Sequence, residues 1–373
     1  MASIERSALV TILARRGLLA HPGSPSNAEL DAALRAFQQS RGLVADGIAG
    51  PQTVEALESG EWRLGDRPLR FVPDAMMSGD DVSDLQGRLL SLGFSTDRTD
   101  GVFGPQTEAA LRRFQRSVGL PDNGILGPRS LEAFRQLSRS VEGGAPHLLH
   151  ERESLRRSGP DLSQRVVVLD PGHGGADPGA VSTNGTAEAG IVDTLARLIE
   201  SRLRSYGTVV HRTRGAGQSG GSDFDRARFA NDRRADVLIS LHCDHSASAG
   251  ASGVATFFYG MPHYGAWSAV GEELAGLIQR EIVARTGLTD CRTHPRSWAI
   301  LQRSAMPAVR VEIGYLSHPD DAAYLSTTEH LATVADAIVV ALQRVYLGED
   351  DMSATGVLDV AELRRHLMAQ SGR

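Results

Sequence analysis

Val166-Val167-Val168-Leu169-Asp170-Pro171-Gly172-His173-Gly174-Gly175 opens on an apolar run and breaks into a proline- and glycine-rich turn that carries a histidine. The run reads as a strand, and the pattern recurs downstream. Thr208 to Arg212, Val237 to Leu241, Val254 to Tyr259 and Val309 to Ile313 also read as strands. Between and after them, Ile191 to Leu203, Asp225 to Arg234, Trp267 to Arg285 and Leu331 to Tyr346 have helical spacing. Strands alternating with helices specify an α/β domain with a mostly parallel central sheet.

In such a sheet the chemistry sits beyond the C-terminal ends of the strands. His173 and His242 both follow apolar strands, and the strand Val309-Arg310-Val311-Glu312-Ile313 delivers Glu312. Glu188, at a helix start after the loop Thr183-Asn184-Gly185-Thr186-Ala187, supplies a carboxylate. Two histidines, a carboxylate and an open position are the arrangement of catalytic zinc. Each residue also has a plainer reading. A histidine at a strand end is often a hydrogen-bonded structural residue, and Glu188 suits the dipole of its helix. Glu312 is the sharper signal, because a carboxylate inside an apolar strand is costly unless paired, metal-bound or catalytic. The Asp170–Gly175 turn matches neither GxGxxG nor GxxxxGK[ST], so it is not a phosphate loop.

Upstream the chain repeats itself. Ala32 to Leu57 aligns with Ala109 to Phe134 at a constant offset, with fifteen of twenty-six positions identical. With one shift, Leu9, Leu13 and Gly17 fall on Leu85, Leu89 and Gly93. Each copy reads as a small helical unit of about seventy residues, punctuated by Asp-Gly-x-x-Gly-Pro turns at Asp46 to Thr53, at Asp100 to Thr107 and, with asparagine leading, at Asn123 to Ser130. The first copy has His21-Pro22-Gly23-Ser24-Pro25-Ser26 where the second has its first such turn. From Ser138 to Gln164 the pattern dissolves into charge, serine and glycine, a linker with a short helix expected at His150 to Arg157. Beyond Leu347 a polar tail carries Thr355 and an amphipathic piece, Leu358 to Met368.

Composition narrows the class. With 373 residues, 41% hydrophobic and 23% charged, the chain is of multidomain globular type. A formal net charge of -6 offers no electrostatic reason to bind nucleic acid or an anionic membrane. Cys243 and Cys291 alone exclude a disulfide framework and a CxxC zinc site. No apolar stretch is long enough to span a bilayer. Ala8 to Ala20 has the apolarity of a signal-peptide core, but Arg15 and Arg16 interrupt it and it aligns with a helix of the second copy. The expectation is therefore no export signal and a cytoplasmic location.

Two resemblances extend this reading. The two N-terminal copies resemble the peptidoglycan-binding type 1 repeat, a three-helix module. From Val166 to Tyr346 the chain resembles the N-acetylmuramoyl-L-alanine amidase type 3 family, through Asp170–Gly175, Glu188, Ser240-Leu241-His242 and Val311-Glu312-Ile313-Gly314-Tyr315-Leu316-Ser317. That resemblance implies zinc held by His173, Glu188 and His242, with Glu312 as catalytic base and peptidoglycan or muropeptides as substrate. Cys243-Asp244-His245 departs from the family pattern and puts a thiol and two further polar groups beside the metal. His211, His245, His263, His294 and His318 are expected to be surface or structural. The layout as a whole resembles the actinobacterial CwlM group. This implies the alternative of a cytoplasmic regulator acting on MurA, with Thr355 phosphorylated by a Ser/Thr kinase. The expected domains are residues 1–65 and 75–138 for the repeats, 139–164 for the linker, 165–348 for the zinc amidase domain and 349–373 for the tail. The fold class is two small all-α three-helix modules followed by an α/β domain.

Overall fold

The computed structural model describes residues 5–19, 23, 25–40, 47–60, 62–94, 96, 100–137, 159, 162–182, 184–246, 250–261 and 266–347. The expected helix at His150 to Arg157, Thr355 and the Leu358 to Met368 piece lie outside them. The chain divides into two compact units, one mainly Met1–Leu149 and the other mainly His150–Arg373.

The first unit holds α1 (Arg6–Arg15), α2 (Asn27–Ser40), α3 (Pro51–Ser59), α4 (Asp80–Ser91), α5 (Pro105–Ser117) and α6 (Pro128–Leu137). Each repeat supplies three helices and its own apolar cluster. Leu9, Leu13, Leu34, Phe37 and Leu57 pack in the first, and Leu85, Leu111, Phe114 and Phe134 in the second. Phe114 and Phe134 stack with centroids 3.9 Å apart.

The Asp-Gly-x-x-Gly-Pro turns are held by one device used three times. A buried glutamine from the preceding helix reaches into each turn. Its amide nitrogen donates to the turn and to the hydroxyl that follows, while its oxygen accepts from the glycine N–H. Gln86 does this with Asp100, Val102, Thr107 and Gly101. Gln115 does it with Asn123, Ile125, Ser130 and Gly124, and Gln38 with Ile48, Thr53 and Gly47. The three glycines share φ values of 70 to 74°, the left-handed region in which glycine carries no Cβ penalty. Asn123 replaces aspartate without change of geometry, because only its side-chain oxygen is used, accepting from Ile125 N at 2.9 Å as Asp100 accepts from Val102 N at 2.9 Å. In the first copy Val10 stands where Gln86 stands in the second, so the missing first turn is accompanied by loss of its clamp.

The second unit contains β1 (Val166–Pro171), α7 (Glu188–Ser205), β2 (Val209–Arg212), α8 (Asp223–Asp232), β3 (Val237–Asp244), β4 (Val254–Met261), β5 (Ala266–Trp267), α9 (Ala269–Thr286), β6 (Asp290–Arg296), α10 (Ala299–Arg303), β7 (Ala308–Tyr315), α11 (Pro319–Leu325) and α12 (Thr328–Leu347). The strands run β2-β1-β3-β7-β4-β5, with β6 pairing with β4. β2, β1, β3 and β7 are mutually parallel, and β4 joins β7 antiparallel. The mostly parallel α/β sheet expected from the sequence is what forms.

Alternation sorts the two faces of the sheet. Val167 and Leu169, Val237 to Cys243 at odd numbers, and Val309, Val311 and Ile313 pack with α7, α9 and α12 in one core. The opposite face carries Asp170 beside Ser240, Ser240 beside Arg310, and His242 beside Glu312, as the strand registers pair them. One face therefore builds the core while the other gathers polar groups.

Four readings need correction. Trp267 lies in β5, and the helix begins only at Ala269, because the Ser268 side chain accepts from Gly271 N and caps it. His242 lies within β3 rather than beyond its end, since pairing with β7 continues to Asp244. Cys243 turns its thiol into the apolar core, the face opposite His242, so only its backbone meets the polar site. Strand β6 and helices α10 and α11 were not expected. Their runs are too short or too polar, as in Asp290-Cys291-Arg292-Thr293-His294-Pro295-Arg296, to show a period.

Candidate metal centre

Glu188 is the hub. As the first residue of α7 it is buried, and its two carboxylate oxygens face two different histidines. Oε1 lies 2.9 Å from His242 Nδ1 and Oε2 lies 3.2 Å from His173 Nε2. Backbone N–H groups hold the carboxylate from behind: Cys243 N donates to Oε1 at 2.9 Å and Ala180 N to Oε2 at 2.8 Å. Burial alone would raise its pKa, but the hydrogen bonds and charges of His173 and His242 outweigh this and hold it well below the usual carboxylate range. One ligand atom from each of His173, Glu188 and His242 lies within 4.8 Å of the others.

The local chain is shaped around this group. Gly172 has no room for a side chain, since a Cβ there would meet the His242 ring. A Cβ on Gly179 would stand 2.5 Å from Glu188 Oε2 and 2.7 Å from His173 Cδ2. His173 itself adopts φ 57°, a left-handed conformation that costs a non-glycine residue on the order of 1–3 kcal/mol. Two buried arginines hold the loop there. Arg214 donates to the Pro171 and Gly172 carbonyls, each at 2.8 Å, and Arg226 to the His173 carbonyl at 3.0 Å. Arg226 also binds Asp170 Oδ1 at 2.6 Å, while Ser240 binds Asp170 Oδ2 at 2.7 Å. Burial would raise Asp170, yet Arg226 first, then Thr213 and Ser240 among others, bring it below its ordinary value.

A carboxylate also orients the first histidine. Asp177 Oδ2 lies 2.7 Å from His173 Nδ1, which leaves Nε2, the nitrogen facing Glu188, to act as a ligand. Burial lowers the pKa of His173, but Glu188 and then Asp177 reverse that and raise it. The pocket thus favours positive charge at the point where the three ligand atoms converge. A donor set of two imidazoles and one carboxylate, with a carboxylate behind one imidazole, fits a divalent transition metal of the zinc type.

Glu312 stands on β7 in register with His242. Arg310 Nε donates to its Oε1 at 2.8 Å, and Oε2 is buried with no hydrogen-bond partner among the described residues. Of the departures noted in the sequence, Asp244 is raised in pKa by burial and by Glu312, and shares a hydrogen bond with the Tyr315 side chain. Burial raises Cys243 well above an ordinary thiol, and His245 is exposed. His294 contacts the Cys291 carbonyl at 2.7 Å and His318 precedes α11, both outside the metal-type group. His263 lies outside the described residues.

Comparison with known proteins bears on the same segments. A family model described as N-acetylmuramoyl-L-alanine amidase matches residues 167–344, and a peptidoglycan binding domain model matches residues 4–57 and 78–134. The N-acetylmuramoyl-L-alanine amidase CwlM of Mycobacterium tuberculosis is 44% identical over 343 residues, 91% of this chain and 84% of that protein. The chain belongs to the N-acetylmuramoyl-L-alanine amidase family. The amidase AmiA of Escherichia coli is 27% identical over 230 residues, 51% of this chain and 78% of that protein. Among solved structures, an N-acetylmuramoyl-L-alanine amidase from Clostridium difficile 630 matches with a TM-score of 0.45 and 27% identity, covering 48% of this chain and 95% of that one.

Within this amidase domain the structure brings together all four residues singled out in the sequence, and adds others that sequence reasoning passed over. Asp177, Arg214, Arg226 and Arg310 were not singled out. A signal existed for Arg310, which sits two residues before Glu312 and hence on the same face of the strand. Arg214 and Arg226 offer none, since an arginine on a loop or in a polar helix is ordinarily solvated.

Proposed function

We propose that the chain is a zinc-dependent hydrolase of the amide joining the lactyl group of N-acetylmuramic acid to the L-alanine of a stem peptide, in peptidoglycan or in muropeptides. The observation that carries this reading is the His173, Glu188, His242 group with Glu312 in register beside His242, its buried Oε2 without a hydrogen-bond partner among the described residues. His173 Nε2, His242 Nδ1 and the Glu188 carboxylate would hold the metal. Zinc bound there supplies Lewis acidity, polarising the scissile carbonyl and acidifying a water.

The remaining work falls to the chain itself. Glu312 accepts a proton from the attacking water at Oε2 and returns it to the amide nitrogen as the C–N bond breaks. The water oxygen ends in the new lactyl carboxyl group and the stem peptide leaves as an amine. Asp177 holds His173 in the tautomer that offers Nε2, while Arg214 and Arg226 keep the loop in its strained shape.

The test is hydrolysis of purified muropeptides by the intact zinc-loaded chain. Glu312→Gln keeps the shape but not the base and is expected to lower kcat by about 10²–10⁴-fold while zinc still binds. Failure of the wild-type chain to release stem peptide from any muropeptide would overturn the proposal. Partnership with MurA and a kinase gains no support from the described residues, Thr355 lying outside them. What favours hydrolysis is the metal-type group with Glu312 in register beside His242.

A further inference from the structure

Glu312 does not sit alone on its strand. Arg310 precedes it by two residues, and strand alternation puts both side chains on the face that bears His242. Arg310 Nε lies 2.8 Å and Nη2 2.7 Å from the same atom, Glu312 Oε1. Two N–H groups converging on one oxygen set the rotation of the carboxyl plane and leave Oε2 clear. The pair is largely out of solvent, with side chains 12% and 7% exposed, so its geometry is not loosened by competing water. Oε2 has no hydrogen-bond partner among the described residues, whereas a purely structural ion pair would engage both oxygens in a bidentate fork.

We propose that Arg310 is a positioning residue that locks the Glu312 carboxylate through Oε1 and so presents Oε2 as the proton-accepting atom of amide hydrolysis, an inference that rests on the amidase reading above. Arginine suits this task because its planar fork fixes an orientation, whereas lysine would offer a point charge. Burial would lower the pKa of Arg310, but Glu312 first, then Asp223 and Glu188, raise it and keep the guanidinium charged.

The experiment uses the full zinc-loaded chain. Arg310→Ala is expected to lower kcat on muropeptides by about tenfold or more, with KM and zinc affinity unchanged. Added guanidinium ion is expected to restore part of that loss, and to restore nothing in the double variant Arg310→Ala/Glu312→Gln. Arg310→Lys, which keeps the charge and the strand, is expected to retain KM and lose kcat. Wild-type kcat in Arg310→Ala or Arg310→Lys, or an Arg310→Ala loss that guanidinium leaves untouched, overturns the assignment. If the wild-type chain cleaves nothing, the amidase reading falls separately. Crystal structures of wild type and Arg310→Ala then decide the positioning role: a displaced Glu312 carboxylate upholds it, and an unmoved one overturns it.

Discussion

At the residue scale, the centre depends on side chains that never meet a substrate. Asp177 is largely exposed and contributes little to the core, yet it faces the nitrogen of His173 that points away from Glu188. Removing it frees the imidazole to adopt the other tautomer. Asp177→Ala is therefore expected to weaken zinc binding by about 10–100-fold with folding intact, read by competition with a chromophoric chelator. Unchanged affinity would assign Asp177 to the loop turn, where its Oδ1 accepts from Gly179 N, and not to the metal. Glu312 was legible in the sequence as a carboxylate inside an apolar strand, whereas His173, Glu188 and His242 also had ordinary structural readings and were joined into one group by the family resemblance. Asp177 was not, since an aspartate before proline reads as an ordinary turn residue.

At the scale of elements, the repeats show how one polar side chain can define a turn. Gln86 is buried and satisfies four groups of the Asp100 to Thr107 turn at once. Gln86→Leu keeps the volume but strands those groups, and is expected to destabilise the first unit by about 2–4 kcal/mol in urea unfolding. Asn123→Asp in the third turn is expected to change stability by less than about 0.5 kcal/mol, because both side chains present the same oxygen. A Gln86→Leu variant as stable as wild type would show that glycine φ values alone maintain the turn. The turn motif announced itself in the sequence through its repetition. The clamp did not, because a glutamine in a polar helix carries no sign of which way it faces.

For the whole molecule, the repeats and the amidase domain have separate apolar clusters. A ligand that binds one folded unit stabilises that unit, by about 2.7 kcal/mol at a free concentration one hundred times its dissociation constant. Chelation of zinc is therefore expected to lower the calorimetric unfolding transition of the amidase domain and leave that of the repeats in place. Glu188→Ala should abolish the shift. A shift of both transitions together would mean that the units unfold as one. Among the described residues no single helix is long and apolar enough to cross a membrane.

The sequence by itself determined the order of helical repeats and α/β domain and the mostly parallel sheet, and it pointed to four candidate site residues. Periodicity and repetition are local properties, and a buried charge in an apolar run is visible wherever it occurs. Only the tertiary structure decided that Cys243 faces the core while His242 faces the centre, and that Asp177 stands behind His173. It also decided that two arginines hold the loop and that Arg310 claims one oxygen of Glu312. The face that each strand residue takes depends on how the sheet is buried, and the arginine contacts on residues brought together across 43 to 56 positions of chain, as Arg214 is to Pro171 and Arg226 to Asp170. No local pattern encodes such a meeting, because a side chain's partner is set by how the sheet twists and pairs.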